Sequence, residues 1–300
     1  MVAPGYTKTP KDAVISVQNL SWRYVGTQRW ALEDVSFQVH AGEIIGIVGP
    51  SGAGKTTLTL ALRGLIPHNF QGVMKGSVRI CGFNTKETHP SRLVGRVGVV
   101  FQDPETQFTG LSVEEEIVFA LENLGLSDEE MDRRIADALE AVQLPAAMRN
   151  RSPFQLSGGQ KQRVVLAAVL AMEPDVIILD EPTSELDPVG EEEIFKVLVD
   201  LRRRRNVTVV IVSHATEQLA TLCDRILCVR EGRLIKDSST REFFSAVKDL
   251  YSYGIRPPQV TELAYELAER TDGTTQVELP LSIDEACWFL SRLEGKGLVL

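Results

Sequence analysis

The sequence predicts an α/β fold built on a buried parallel sheet, and three observations predict it. VIIL at 176–179 and VTVVIV at 207–212 are unbroken runs of branched and apolar residues, the composition of strands covered on both faces. EIIGIV, GPSGAGKT and TLTLALRGL follow one another as strand, glycine-rich loop and helix. From Ser112 onward, VEEEIVFALENLGL and SDEEMDRRIADALEAVQL carry apolar residues at helical spacing, which adds a helical arm to the sheet.

Residues 1–13 form a polar leader, expected to be flexible. AVISVQNLSWRY (13–24), WALEDVSFQVHAGEIIGIVG (30–49) and KGSVRICGFNT (75–85) are rich in β-branched and aromatic residues with partial alternation, so they are strands of a β-rich N-terminal part. In the arm, Ser127 and Glu130 form a capping box that opens the second helix. After about residue 246 the pattern weakens to YSYGIRPPQV, a Gly and Pro hinge. A helix follows with Val260, Leu263, Ala264, Leu267 and Ala268 on one face, then another that Ser282 and Glu285 cap. The chain thus divides into the leader, a main domain at 14–245 and a helical extension at 246–300. That extension is too short for a large core of its own, so it packs on the main domain or on a second subunit.

Composition narrows the function. With 300 residues, 43% hydrophobic and 24% charged, the chain is globular. Its longest apolar run, VVLAAVLAM at 164–172, is half of a bilayer span, and MVAPGYTKTPKD lacks the apolar core of a signal peptide, so a soluble cytoplasmic chain is expected. Cys81, Cys223, Cys228 and Cys287 form no C-x-x-C pair and suggest neither a zinc cage nor a disulfide framework. A net charge of -9 argues against nucleic acid as the main partner. The basic run Arg202–Arg205 reads as cations complementing a helix C-terminus.

The chemistry-bearing residues lie where such a fold gathers ligands. GPSGAGKT (Gly49, Pro50, Ser51, Gly52, Ala53, Gly54, Lys55, Thr56) fits G-x-x-x-x-G-K-[ST] between a strand and a helix. Such a loop curls its N–H groups around phosphate oxygens, with Lys55 neutralising the β- and γ-phosphates and the Thr56 hydroxyl reaching Mg2+; Thr57 continues the loop into the helix. VIILDE puts Asp180 at the carboxyl end of a buried strand, where a carboxylate can hold Mg2+ through water, and Glu181 beside it as the base that deprotonates the attacking water. VTVVIVS delivers His214 to the same edge, able to hydrogen-bond the γ-phosphate. FQDPETQ offers Gln102, a neutral amide able to ligate and sense Mg2+. LSGGQKQR is a second anion site: Ser157 caps the helix, and Gly158, Gly159 and Gln160 expose N–H groups at its start. The first loop already wraps its own ATP, so this second cradle has a use only when another chain presents its nucleotide there.

On these motifs, in this order, the chain resembles the nucleotide-binding subunits of ABC transporters over roughly 14–245. GPSGAGKT is like Walker A, Gln102 like the Q-loop, LSGGQ like the signature, VIILDE like Walker B, SELD like the D-loop and His214 like the H-loop. The resemblance implies a P-loop ABC ATPase fold: a RecA-like core, an antiparallel β subdomain and a helical subdomain bearing the signature, here with a small helical C-terminal extension. It also implies ATP and Mg2+ as cofactors, Tyr24 stacking on adenine and Asp187 in the D-loop. SELD departs from the commoner SALD by Glu185. GLIPHNF, VVFQDPETQF, LSVEEEIVFALENLGL and GIRPPQVTELA look more narrowly like the energy-coupling factor, or cobalt-type, ATPases that power uptake of vitamins and transition metals. That resemblance implies a homo- or heterodimer held in part by the extension, on the cytoplasmic face of the membrane. It further implies a membrane T-subunit docking near Gln102 and a substrate-binding membrane subunit. Asp103, Glu105 and Glu114–Glu116 are either the receptors for basic residues of that T-subunit or a solvated acidic helix start. The alternatives are a soluble ABC ATPase acting on ribosome or DNA, whose usual two cassettes or coiled-coil insertion are not visible, and a scaffold that binds ATP without turnover.

Overall fold

A computed structural model describes residues 13–122, 124–204, 207–270 and 278–294; most of the expected leader lies outside them. In chain order the elements are β1 (Ala13–Tyr24), β2 (Leu32–His40), β3 (Ile44–Val48), α1 (Lys55–Leu62), the short α2 (Leu65–His68), β4 (Gly72–Ile80), β5 (Phe83–Asn84) and β6 (Val97–Val100). The arm follows as α3 (Val113–Glu122), α4 (Asp128–Ala141) and α5 (Gly158–Ala171). Then come β7 (Val176–Asp180), α6 (Pro188–Arg204), β8 (Thr208–Val212), α7 (Thr216–Leu222), β9 (Arg225–Arg230) and β10 (Arg233–Ser239). The chain finishes with α8 (Thr240–Ser245), α9 (Val247–Tyr253), α10 (Gln259–Arg270) and α11 (Ile283–Glu294).

The strands form two sheets, ordered β2-β1-β4-β5 and β10-β9-β3-β8-β7-β6. Pairing is antiparallel throughout the first sheet and parallel from β9 to β6 in the second. The fold is therefore the α/β one expected, with an antiparallel β subdomain and a helical arm. The stretch 30–49 contributes to both sheets: the chain turns at His40, whose carbonyl accepts from the Glu43 N–H at 3.1 Å. β2 alternates buried and solvent-facing residues, whereas all five residues of β3 are buried at the centre of the parallel sheet. That central position puts the loop after β3 between those after β8 and β9.

Capping is partly as expected. Ser127 Oγ accepts from the Glu130 N–H, and Ser282 Oγ from the Glu285 N–H, both at 3.3 Å. The return bonds differ, because Glu130 pairs with Arg133 and Arg134 while Glu285 reaches back to the Leu281 N–H at 2.9 Å. Arg202 bonds the Leu222 carbonyl at 2.6 Å and pairs with Asp224, so it ties α6 to the strand following α7; the side chains of Arg203–Arg205 lie outside the described residues.

The C-terminal part packs on the main domain, one of the two placements expected for it. Along the apolar stripe of α10, Ala264 is buried and Val260, Leu267 and Ala268 are half-buried, but Leu263 is 49% exposed, and Thr261 is buried as well. The Thr261 hydroxyl donates to the Pro280 carbonyl at 2.6 Å, which makes burial of a polar residue cheap and rotates the helix toward it. Packing continues past residue 246, because Leu250, Ile255 and Leu281 belong to the main core. A smaller cluster of Val247, Ala264, Leu279 and Phe289 joins α10 and α11 to the end of that core.

Gly98 shows how tightly α5 lies on the sheet. A Cβ there would stand 2.3 Å from Cγ1 of Val169, a β-branched helical residue with little rotamer freedom. Gly98→Ala is expected to lower stability by about 1–3 kcal/mol, read as a reduced denaturation midpoint at unchanged m-value.

Candidate functional site

The loops at the carboxyl ends of β3, β7 and β8 converge, as the strand order requires. After β3, Gly49 takes φ 152, and a Cβ on it would meet the Val229 carbonyl oxygen at 2.0 Å. Gly54, at φ 107, would meet the Ala31 carbonyl oxygen at 2.6 Å. Only glycine permits this curl, which leaves Ser51, Gly52 and Thr56 exposed with the N-terminus of α1 behind them. Ala53 closes the loop inward, its carbonyl accepting from the Gly232 N–H at 2.8 Å.

Lys55 is buried at the centre. Its ammonium donates to the Gly49 carbonyl at 2.7 Å and to the Pro50 carbonyl at 3.3 Å, and lies 3.3 Å from His214 Nε2. Burial pulls its pKa below the usual 10.5, while Glu181 and Asp180 hold it up. A triphosphate would exchange these neutral acceptors for charged oxygens, a gain for a desolvated cation. His214 Nε2 also stands 3.4 Å from Glu181 Oε1. The lysine only donates, so the one nitrogen faces Lys55 unprotonated or Glu181 protonated, and cannot serve both.

Glu181 follows β7 at φ 52, a left-handed conformation that costs about 1–3 kcal/mol for a residue of this type. Its N–H still bonds the Val212 carbonyl at 2.8 Å, so the turn is anchored to β8 as the side chain leaves the strand. Asp180 Oδ2 accepts from the buried Thr59 hydroxyl at 3.0 Å. Thr59 was not among the expected residues; its place one turn beyond Thr56 on α1 was the available signal.

Thr56, Phe101, Gln102, Asp103, Thr106, Asp180 and Glu181 line a cleft of about 390 Å³. Its oxygen donors suit a hard cation such as Mg2+. Among the described residues no three His, Cys, Asp or Glu side chains converge on one metal position, so such a cation would complete its shell from phosphate and water. Gln102 is exposed in this cleft, but its neighbour Phe101 is fastened on both sides. The Phe101 N–H donates to Gln107 Oε1 at 2.8 Å, its carbonyl accepts from Gln162 Nε2 of α5 at 3.2 Å, and Arg63 lies over its ring at 4.4 Å. Gln107 lies in the same segment as Phe101, but Gln162 and Arg63 are distant in the chain, so no local pattern announces them.

Tyr24 sits beside the loop, its hydroxyl 3.2 Å from Thr57 Oγ1 and its ring edge-on to Trp22 and Phe70. Ser157 and Gln160 form a complete capping box at the start of α5. Ser157 and Gly158 are exposed there, and none of residues 157–160 lines the cleft. Gly159 allows α5 to approach α6, since its Cβ would stand 3.3 Å from Gly190 Cα. Asp187 caps α6, accepting from the Gly190 N–H at 2.7 Å. The acids near Gln102 are engaged inside the chain: Glu105 with Lys161 at 2.5 Å, Glu114 with Arg149 at 2.7 Å, Glu115 with the Leu111 N–H at 2.7 Å, and buried Glu116 with the N–H groups of Thr109 and Gly110. Asp103 caps its own turn through the Glu105 N–H at 2.9 Å. Glu116 is the buried member of this set, while Glu105 and Glu115 remain exposed.

Residues 32–184 match the family model described as ABC transporter. An energy-coupling factor transporter ATP-binding protein of Clostridium tetani is 39% identical over 260 residues, covering 85% of this chain and 89% of its own. Among solved structures, cbiO1 from Clostridium perfringens, part of the ABC transporter complex cbiONQ, superposes with a TM-score of 0.72 at 30% identity, covering 81% of this chain and 96% of that one. The ATP-binding cassette MJ0796, solved as a dimer in a post-hydrolysis state bound to ADP and Pi, gives 0.65 at 29% identity, covering 76% and 99%.

Burial pushes the Glu181 carboxyl above its usual 4.5, against the lowering effects of His214 and Lys55. The native state then holds this proton more tightly than the unfolded chain, so stability falls as pH rises from the unfolded value through the folded one. Glu181→Gln is therefore expected to melt higher than the parent at about pH 7 without nucleotide, with the gap closing near about pH 4.

Proposed function

The chain belongs to the ABC transporter ATP-binding family and is an ATPase of it, and on that premise we propose that it powers an energy-coupling factor type importer of a vitamin or transition metal ion. Two such subunits sandwich two ATP molecules; binding closes the pair, and hydrolysis with phosphate loss reopens it. In each site the Gly49–Thr56 loop and Lys55 hold the phosphates, Tyr24 stacks on adenine, Glu181 takes the proton of the attacking water, and His214 steadies it against the γ-phosphate. Asp180, Thr56 and Gln102 would hold Mg2+, which would supply charge neutralisation on the phosphate oxygens. Ser157, Gly158, Gly159 and Gln160 of the opposite subunit close the site, and Asp187 shapes the turn between the two.

The observation that carries this reading is the separation of two anion-binding arrangements in one chain. His214 Nε2 stands 3.3 Å from the Lys55 ammonium and 3.4 Å from Glu181, while the capped start of α5 is exposed and lines no part of the cleft of Asp180 and Glu181. A fold relative solved as a dimer with ADP and Pi supports the same assembly here.

No helix among the described residues is long and apolar enough to cross a membrane. On the importer reading the chain sits peripherally on the cytoplasmic face, held by a membrane T-subunit that works with a substrate-binding membrane subunit. With the acids engaged, the docking surface is apolar: Val94, Phe108, Phe119, Val165, Ala168 and Met172 line a groove of about 260 Å³ beside the Gln102 segment. A helix presenting apolar side chains fits it better than a basic one.

Glu181→Gln is expected to keep ATP affinity within about threefold while steady-state hydrolysis drops by about 10²-fold or more. Unchanged turnover would remove Glu181 from the reaction. Capture of the chain from detergent-solubilised membranes should bring down a small substrate-binding membrane protein, and Phe119→Asp should reduce that recovery; soluble companions alone would overturn the importer reading.

A further inference from the structure

Two exposed side chains of opposite charge, Glu185 and Arg256, have no hydrogen-bond or ion-pair partner among the described residues. Neither is used by the site described above. Arg256 belongs to the hinge before α10. It lines, with Gly49, Ser213, His214, Thr216 and Ile255, a cavity of about 250 Å³. That is room for roughly eight waters at ~30 Å³ each, enough to admit a side chain. The buried Ile255 packs in the main core and Glu217 accepts from the Gln259 N–H at 3.4 Å, so the hinge is held against the loop that carries His214.

Glu185 stands in the turn between β7 and α6. One end of the turn is tied to this chain's own site, because the Glu181 carbonyl accepts from the Ser184 hydroxyl at 3.1 Å. The other end touches the second anion site, with Leu186 Cδ2 only 3.2 Å from where a Gly158 Cβ would be. Whatever carries Gly158 onto another copy's nucleotide therefore carries this turn to that copy's Gly49 and His214, which wall the Arg256 cavity. Val189, 65% exposed at the start of α6, is an apolar side chain at the same edge that such an approach would cover.

We propose that Glu185 of one copy pairs with Arg256 of a second copy in the cavity beside His214, so that each subunit's C-terminal hinge clasps the turn following the other's β7. The two-fold axis makes two such pairs. The proposal rests on the ATP sandwich argued above, and it adds to the C-terminal hinge a contact made only when the sandwich is closed.

Charge reversal in a Glu181→Gln background, with ATP present and the dimer dissociation constant read by sedimentation, separates the possibilities. Glu185→Arg and Arg256→Glu should each weaken the dimer by about tenfold or more, and the double swap should return it to within about threefold of the parent. Melting of the nucleotide-free single variants should stay at the parent value, because both side chains are exposed in the monomer. A double swap no tighter than the weaker single variant overturns the pair. Silent reversals in a parent that does dimerise overturn the pair alone, whereas a parent that stays monomeric in ATP overturns the sandwich and the pair together.

Discussion

The structure depends on burying one ammonium group at the mouth of a parallel sheet. Lys55 has little solvent, and in the nucleotide-free chain two loop carbonyls and one imidazole surround it in place of water. A desolvated cation is costly unless anions stand near it. Asp180 and Glu181 meet that requirement, and their positions follow from β7 lying two strands from β3 with β8 between them. The same arrangement places Glu181 in a left-handed conformation, and burial raises its pKa against the lowering effects of His214 and Lys55. A nucleotide phosphate would give Lys55 charged oxygens in place of neutral acceptors.

Around this centre the chain is fastened so that a change at the phosphates is felt elsewhere. Phe101 is gripped by Gln107, by Gln162 of the arm and by Arg63, the C-cap of the helix that begins at Lys55. The arm therefore cannot rotate without working on the residue next to Gln102. The tight approach of Gly159 to Gly190 couples the start of α5 to α6 and to the Asp187 turn. These contacts link the cleft, the exposed capped helix and the apolar groove of the arm through packed elements.

The C-terminal segment is less separate than its weak pattern suggests. Leu250, Ile255 and Leu281 share the main core, and the Thr261 hydroxyl finds an acceptor in the backbone before α11. A segment that could not support a core alone is stabilised by joining an existing one, which places its hinge beside His214.

The sequence by itself determined the parts that rest on neighbours along the chain. Gly49 to Thr56 must curl because their glycines permit it, Asp180 and Glu181 must end a buried strand, and Ser157 must cap α5, each within a few residues of its partners. Only the tertiary structure decided which groups those residues meet: Thr59 on Asp180, His214 on Lys55, Gln162 on Phe101, and the internal partners that occupy Glu114 to Glu116. It also decided that α10 buries Thr261 while leaving Leu263 half exposed. Periodicity records how apolar a face is, but a hydrogen bond to a distant carbonyl can outweigh it, and that carbonyl's position is set by the fold as a whole.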